Sequence, residues 1–223
     1  MIDTQFCGLA EIRAISYFSS SLYLKESIEE VLWDITKNVI HQLGFVDCII
    51  YTYDVDRELL TQRAAYGVKN PIGEKIYNQI NIALGEGIVG SVALTGNAKI
   101  IRDTSKDPRY IMDDEYRLSE ICVPIVINGT LFGIIDSEHP EMGFFTEKHL
   151  YLLTIIAALC GQKIKELGVN NKKNFSKANQ YFKKLEELMR FKKLYRNPCL
   201  SLSSVAEVLG ISACYLSSMV NSL

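Results

Sequence analysis

With 223 residues, 48% of them hydrophobic and 22% charged, the chain can bury a full core plus a small second unit, which excludes a disordered or fibrous polymer. The net charge of −2 hides an asymmetry: residues 1–169 carry 15 Lys and Arg against 23 Asp and Glu, whereas residues 170–223 carry 9 against 3. An acidic body with a basic end suits a nucleic-acid contact at that end.

In chain order, residues 1–23 read as an N-terminal extension. Ile28, Val31, Leu32, Ile35, Val39 and Leu43 then recur at helical spacing until Gly44 stops them. Residues 46–53 and 59–66 are strand-like and flank a turn, which predicts a hairpin, and 80–84 is a third short strand. The run Gly85-Glu86-Gly87 opens a short helix through Val92 that closes at Gly96, and 99–102 is a fourth strand. Residues 103–118 form a polar loop with room for one helical turn.

The clearest hairpin follows. Residues 119–127 and 130–138 flank Asn128-Gly129, a strong type I′ turn signal. Thr146 caps a helix from Glu147 to Leu167, with Leu150, Leu153, Ala157, Cys160 and Ile164 along one stripe. The order helix, about six antiparallel strands, helix predicts an α+β fold with both helices on one sheet face. Loops cover the other face, an arrangement that leaves a concave site.

After a polar linker at 169–175, residues 176–223 read as a small all-α unit. A helix over 176–195 precedes the most telling stretch of the chain. Ala206, Gly210 and Leu216 supply a small residue at a helix crossing, a left-handed helix end and an inward apolar residue. Val205, Val208, Leu209, Ile211, Met219 and Val220 fill the other inward positions. These offsets make a helix-turn-helix, whose second helix would offer Ser212, Tyr215, Ser217, Ser218 and Asn221 to a groove. With no Arg or Lys among them, affinity would rest on phosphate contacts from residues such as Lys192 and Lys193, so DNA binding by this chain alone is expected to be weak.

The six cysteines are widely spaced and make no CxxC or Cys/His pair, so sequence spacing supports no metal site. Most lie in apolar runs, as buried thiols of a reducing cytoplasm do. No signal peptide is apparent, and the longest apolar run is too short to span a bilayer. A cytoplasmic protein without a membrane partner is the expectation. The apolar stripes of the two long helices predict a homodimer.

The segments Gly85-Glu-Gly-Ile-Val-Gly90, Asp103-Thr-Ser-Lys-Asp-Pro-Arg-Tyr110, Ser119-Glu-Ile-Cys-Val-Pro124, Gly133-Ile-Ile-Asp-Ser-Glu138 and Phe144-Phe-Thr-Glu147 resemble a GAF domain over residues 24–168. The C-terminal segment resembles the first helix-turn-helix of an AraC-type DNA-binding domain, a family that carries two. The GAF resemblance implies a six-stranded antiparallel sheet with a small-molecule pocket on its loop-covered face. The phosphodiesterase-type cyclic-nucleotide signature is missing, since Ser137-Glu138 and His149-Leu150 stand at its positions. Neither bilin nor haem finds support in the cysteines and histidines, so no cofactor is expected.

A closer resemblance is to free-methionine-(R)-sulfoxide reductase, an enzyme on the GAF fold. It implies that Ser119, Glu120, Asp136 and Glu138 hold an amine, with Asp113 and Tyr110 on the covering loop as further candidates. That enzyme's cysteine positions hold Val89 and Asp113 here, so no thiolate nucleophile is present and catalysis is expected to be absent. Taking Asn128-Gly129 as the two loop residues sets Ile121 opposite Asp136 and Ser119 opposite Glu138. Glu120 would then face away from the two acids unless the strand carries a bulge. Three functions stand: a ligand-sensing transcriptional regulator, a ligand-free dimerisation module, and a reductase-like enzyme.

Overall fold

The computed structural model describes residues 9–70, 73–168, 181, 184–185, 188–189, 201–214 and 216–217. Six strands make one antiparallel sheet in the order β3-β2-β1-β6-β5-β4. They are β1 (Cys48–Asp54), β2 (Leu59–Tyr66), β3 (Asn81–Ala83), β4 (Lys99–Ile101), β5 (Ser119–Ile127) and β6 (Thr130–His139). Strand alternation sends Ile121, Val123, Ile125 and Ile135 to one face, where they join the main core with residues of three helices. These helices are α1 (Leu9–Tyr23), α2 (Ile28–Asp34) and α4 (Glu147–Glu166). The opposite face carries Ile49, Tyr51, Leu60, Cys122 and Ile134 under α3 (Gly87–Thr95). The α+β class and the expected sheet are thus observed.

Three local readings need correction. The N-terminal extension contains α1, which buries Ala14, Phe18 and Leu22 at four-residue steps and packs on α4. The helix over 28–43 is not uniform: a π-helical stretch, Ile35–Ile40, follows α2. Val208 is half exposed rather than inward-facing.

Both long hairpins carry a register shift. In β5–β6, Ile127 faces Thr130 and Val126 faces Leu131, but Ile125 faces Gly133, leaving Phe132 as the extra residue. Beyond it Cys122 faces Asp136 and Glu120 faces Glu138. Two neighbouring β6 residues thus fall on one side, which is easiest where the second has no side chain: a Cβ on Gly133 would sit 2.1 Å from the Tyr51 carbonyl oxygen. In β1–β2, Ile50 faces Ala64 and Tyr51 faces Gln62, so Arg63 is extra and swings out to Glu29.

The turn before α3 depends on close backbone approach. Gly85 N–H donates to the Gly90 carbonyl at 2.8 Å, and a Cβ on Gly90 would lie 2.3 Å from the Ala83 carbonyl oxygen. Gly96, by contrast, ends α3 at φ 69° with open space around it. Gly90→Ala is expected to cost about 3 kcal/mol, because rigid backbone must move, while Gly96→Ala should cost about 1–2 kcal/mol for its left-handed conformation alone. Urea denaturation of the two variants checks the order.

Candidate functional site

The shifted β5–β6 register puts three acids on the α3 face. Glu120, Asp136 and Glu138 are all buried, at 3%, 5% and 7% exposure. They line a small cavity with Tyr51, Val89 and Asp113. Its volume is about 20 Å³, room for about one water. Burial pushes the Glu120 and Asp136 carboxyls well above the usual range, and neighbouring acids, Glu138 for the first and Glu120 for the second, push them further. Glu138 is raised to about 10, by burial first and Asp136 second. Oδ1 of Asp136 has no hydrogen-bond partner. The cavity floor is therefore three buried carboxyls whose environment favours the protonated form, with one oxygen lacking a hydrogen-bond partner.

Two covering segments close the site from above. Lys69, between β2 and β3, is 3% exposed; its ammonium lies 2.6 Å from Asp113 and donates to the Asn78 carbonyl at 2.7 Å. Gln62 Nε2, aimed at this face by the β2 bulge, donates to Asp113 at 2.6 Å and to the Tyr51 hydroxyl at 3.1 Å. Asp113 therefore reaches the cavity as an ion-paired clasp between the loops. Ile111 packs over Gly87, where a Cβ would meet its Cδ1 at 2.6 Å. Tyr110 is half-buried, and its hydroxyl accepts from the Arg117 backbone N–H at 3.0 Å. Arg117 pairs with Glu115 and stands 3.9 Å from both Asp47 and Asp114. Asp47, just before β1, is raised to about 7, mainly by burial and then by Asp114.

Among the expected ligand residues, Glu120, Asp136, Glu138 and Asp113 line the cavity, and Tyr110 packs against the cluster on that face. Ser119 does not line it. It pairs with His139 and donates to the Glu141 carbonyl at 2.7 Å, because it has the parity of Ile121 on the helix face. Glu120 opposes Glu138, so its assignment to the far face by an unbulged hairpin is corrected. Lys69, Gln62, Asp47 and Arg117 escaped sequence reading, since only the fold brings them together.

The C-terminal unit is described in part. Helix α5 (Leu202–Leu209) begins on the Ser201 side chain and ends at Gly210, φ 72°. Val205, Ala206, Leu209, Leu216 and Leu188 form its own small core. Ser212 is turned to the sheet domain, where its hydroxyl donates to Glu58 at 2.9 Å, and Ile211 packs against the cavity-face cluster. Ser217 is half-buried. Tyr215, Ser218, Asn221, Lys192 and Lys193 lie outside the described residues. No described helix is long and apolar enough to cross a membrane.

The GAF domain family matches residues 25–165, and the chain belongs to it. A Nif-specific regulatory protein of Azospirillum lipoferum is 28% identical over 158 residues, 66% of this chain and 24% of that protein. The free methionine-R-sulfoxide reductase of Saccharomyces cerevisiae is 37% identical over 70 residues, 31% of this chain and 38% of that enzyme. The structure of free methionine-R-sulfoxide reductase from Neisseria meningitidis, in complex with its substrate, aligns at TM-score 0.62 and 18% identity, over 70% of this chain and 88% of that one. The chain spans less than half the length of the curated relatives it matches. The expectation that catalysis is absent is overturned by this set, because an enzyme stands among the relatives. The family match ends at residue 165 and does not extend to the C-terminal unit.

The raised carboxyls set a pH dependence. An acid whose folded pKa lies above its unfolded value binds more protons in the folded state, so its contribution to stability declines as pH rises between the two values. For Asp47 that window runs from about 4 to about 7. Melting in metal-free buffer should therefore show Asp47→Asn gaining on the wild type as pH rises from 5 to 8. Parallel melting-temperature profiles would contradict the assignment.

Proposed function

We propose that this chain is a sensory and regulatory GAF protein whose acidic cavity receives the cationic or amine group of a small molecule, with Asp136 as its main partner and Glu120 and Glu138 assisting. One observation carries the reading: three buried carboxyls share the floor of one cavity, and the nearby cations Lys69 and Arg117 are tied to other acids. The regulatory relatives support a sensing role, and the reductase likeness supports an amine-bearing ligand. A ligand larger than a water must displace the clasp between Lys69 and Asp113, and that displacement is the signal.

The output is a DNA contact by the helix-turn-helix around Gly210, within a homodimer. The turn geometry and its small core support the first. Exposed Tyr151 and Ile155 on α4 support the second. A second reading, turnover of an amine-bearing substrate such as free methionine sulfoxide, is favoured by the same grouping of Glu120, Asp136 and Glu138. Turnover with a thiol reductant, lost in Cys122→Ser, would select it.

A thermal-shift screen of amino acids, amines and nucleotides tests the ligand class. A charged hydrogen bond in an enclosed site contributes roughly 1.5–3 kcal/mol, so Asp136→Asn should weaken an amine binder by about one to two decades. Binders that are all anionic, or amine binders indifferent to the substitution, would defeat the proposal. For the DNA contact, weak binding that falls steeply with salt is expected. Tight, salt-insensitive binding to one sequence would contradict it.

A further inference from the structure

Cross-strand register does something at this site that sequence spacing hides. Cys122 lies directly opposite Asp136, and Glu120 follows two residues along the same face of β5. One carboxylate oxygen of each acid and the Cys122 sulfur lie within 4.8 Å of one another, and all three residues are buried. The cations around them are committed elsewhere: Lys99 to Ser91, Arg109 to Asp107, Lys69 to Asp113 and Arg117 to Glu115. Asp136 Oδ1 remains without a partner. The adjoining cavity admits about one water-sized particle, which suits an ion without any loop movement.

Two oxygens and one sulfur form a mixed donor set. Hard ions such as magnesium prefer six oxygens, whereas a thiolate beside carboxylates suits a first-row transition ion. Four-coordinate bonds of about 2.0–2.3 Å need donors roughly 3.3–3.8 Å apart, so a contraction of about 1 Å by side-chain adjustment completes the geometry. We propose that Glu120, Cys122 and Asp136 hold one divalent transition-metal ion, with the fourth position open to the cavity. Binding displaces the thiol proton and the protons retained by the carboxyls into solvent. Burial and the flanking carboxyls hold the Cys122 thiol well above its ordinary pKa in the empty site, and a dication removes that penalty. The inference rests on the reading of this cavity as a receptor for positive charge and names a metal as the charge.

The test is cobalt(II) titration of the full chain, reduced and stripped with chelator. One equivalent should produce a sulfur-to-cobalt charge-transfer band in the near ultraviolet. Cys122→Ser should abolish the band. Asp136→Asn should keep it at saturation with affinity at least tenfold weaker, and this second variant decides the matter if the first does not fold. Cys214→Ser, which removes an exposed thiol, should leave both unchanged. Zinc should displace the cobalt, and a large excess of magnesium should not. Absence of the band in the wild type, its survival in Cys122→Ser, or equal displacement by magnesium would overturn the metal site. An amine that stabilises the stripped protein through Asp136 would still uphold the proposed function. A cobalt band without any amine binder would uphold the metal site alone.

Discussion

The pairing of β5 with β6 is the constraint on which this site depends. Without the extra residue at Phe132, the side-chain parity of β6 beyond the turn would reverse relative to β5, and Asp136 and Glu138 would point into the helix core while Glu120 stayed on the opposite face. With it, Glu120, Cys122, Asp136 and Glu138 form a two-by-two patch on a buried sheet face. The bulge in β2 acts the same way on the neighbouring hairpin, turning Arg63 to solvent and Gln62 inward to hold Asp113. Two one-residue insertions thus convert an ordinary half-apolar sheet into a polar-floored one. The burial of several carboxyls opposes folding, and the large apolar cluster on the helix face offsets it.

Closure over that floor is electrostatic as much as apolar. Lys69 and Asp113 form a nearly dry ion pair between two segments that make no strand contact with each other. Removing either partner alone would leave an uncompensated buried charge, so a single substitution here should disrupt the loops more than one at a surface bridge. Ile111, resting on Gly87, adds an apolar latch at the start of α3. The same face continues to the C-terminal unit through Ile211 and the Ser212–Glu58 bond. The proposed ligand, by shifting packing on the cavity face, would act on a surface that Ile211 and Ser212 of the C-terminal unit already touch.

Much of the fold was legible because local signals agreed with the global arrangement. Asn128-Gly129 located the main hairpin, Gly96 the end of α3, and Thr146 the start of α4. The chain's own α1 was overlooked because Ser19-Ser20-Ser21 and sparse charge mask the spacing of Ala14, Phe18 and Leu22. The site was half legible. Asp136 and Glu138 stood out as acids in an apolar strand, but the face of Glu120 turned on a bulge whose sequence trace is Gly133 inside β6. Cys122 looked like a core thiol and is also that, and nothing in its neighbours announces Asp136 across the ladder. Lys69, 44 residues from Asp113 in the chain numbering, had no readable partner before folding.

The two proposed readings of this site differ chiefly in what they require of the Cys122 thiol. Burial first, and then the flanking carboxyls of Asp136 and Glu120, favour S–H over thiolate at Cys122. Buried beside the empty cavity, it is a poor nucleophile. A cation on the carboxyl floor, whether an ammonium group or a metal ion, reverses that balance by stabilising the thiolate beside it. On the proposed reading, the acids that receive a cation are therefore the same groups that set the state of the neighbouring sulfur.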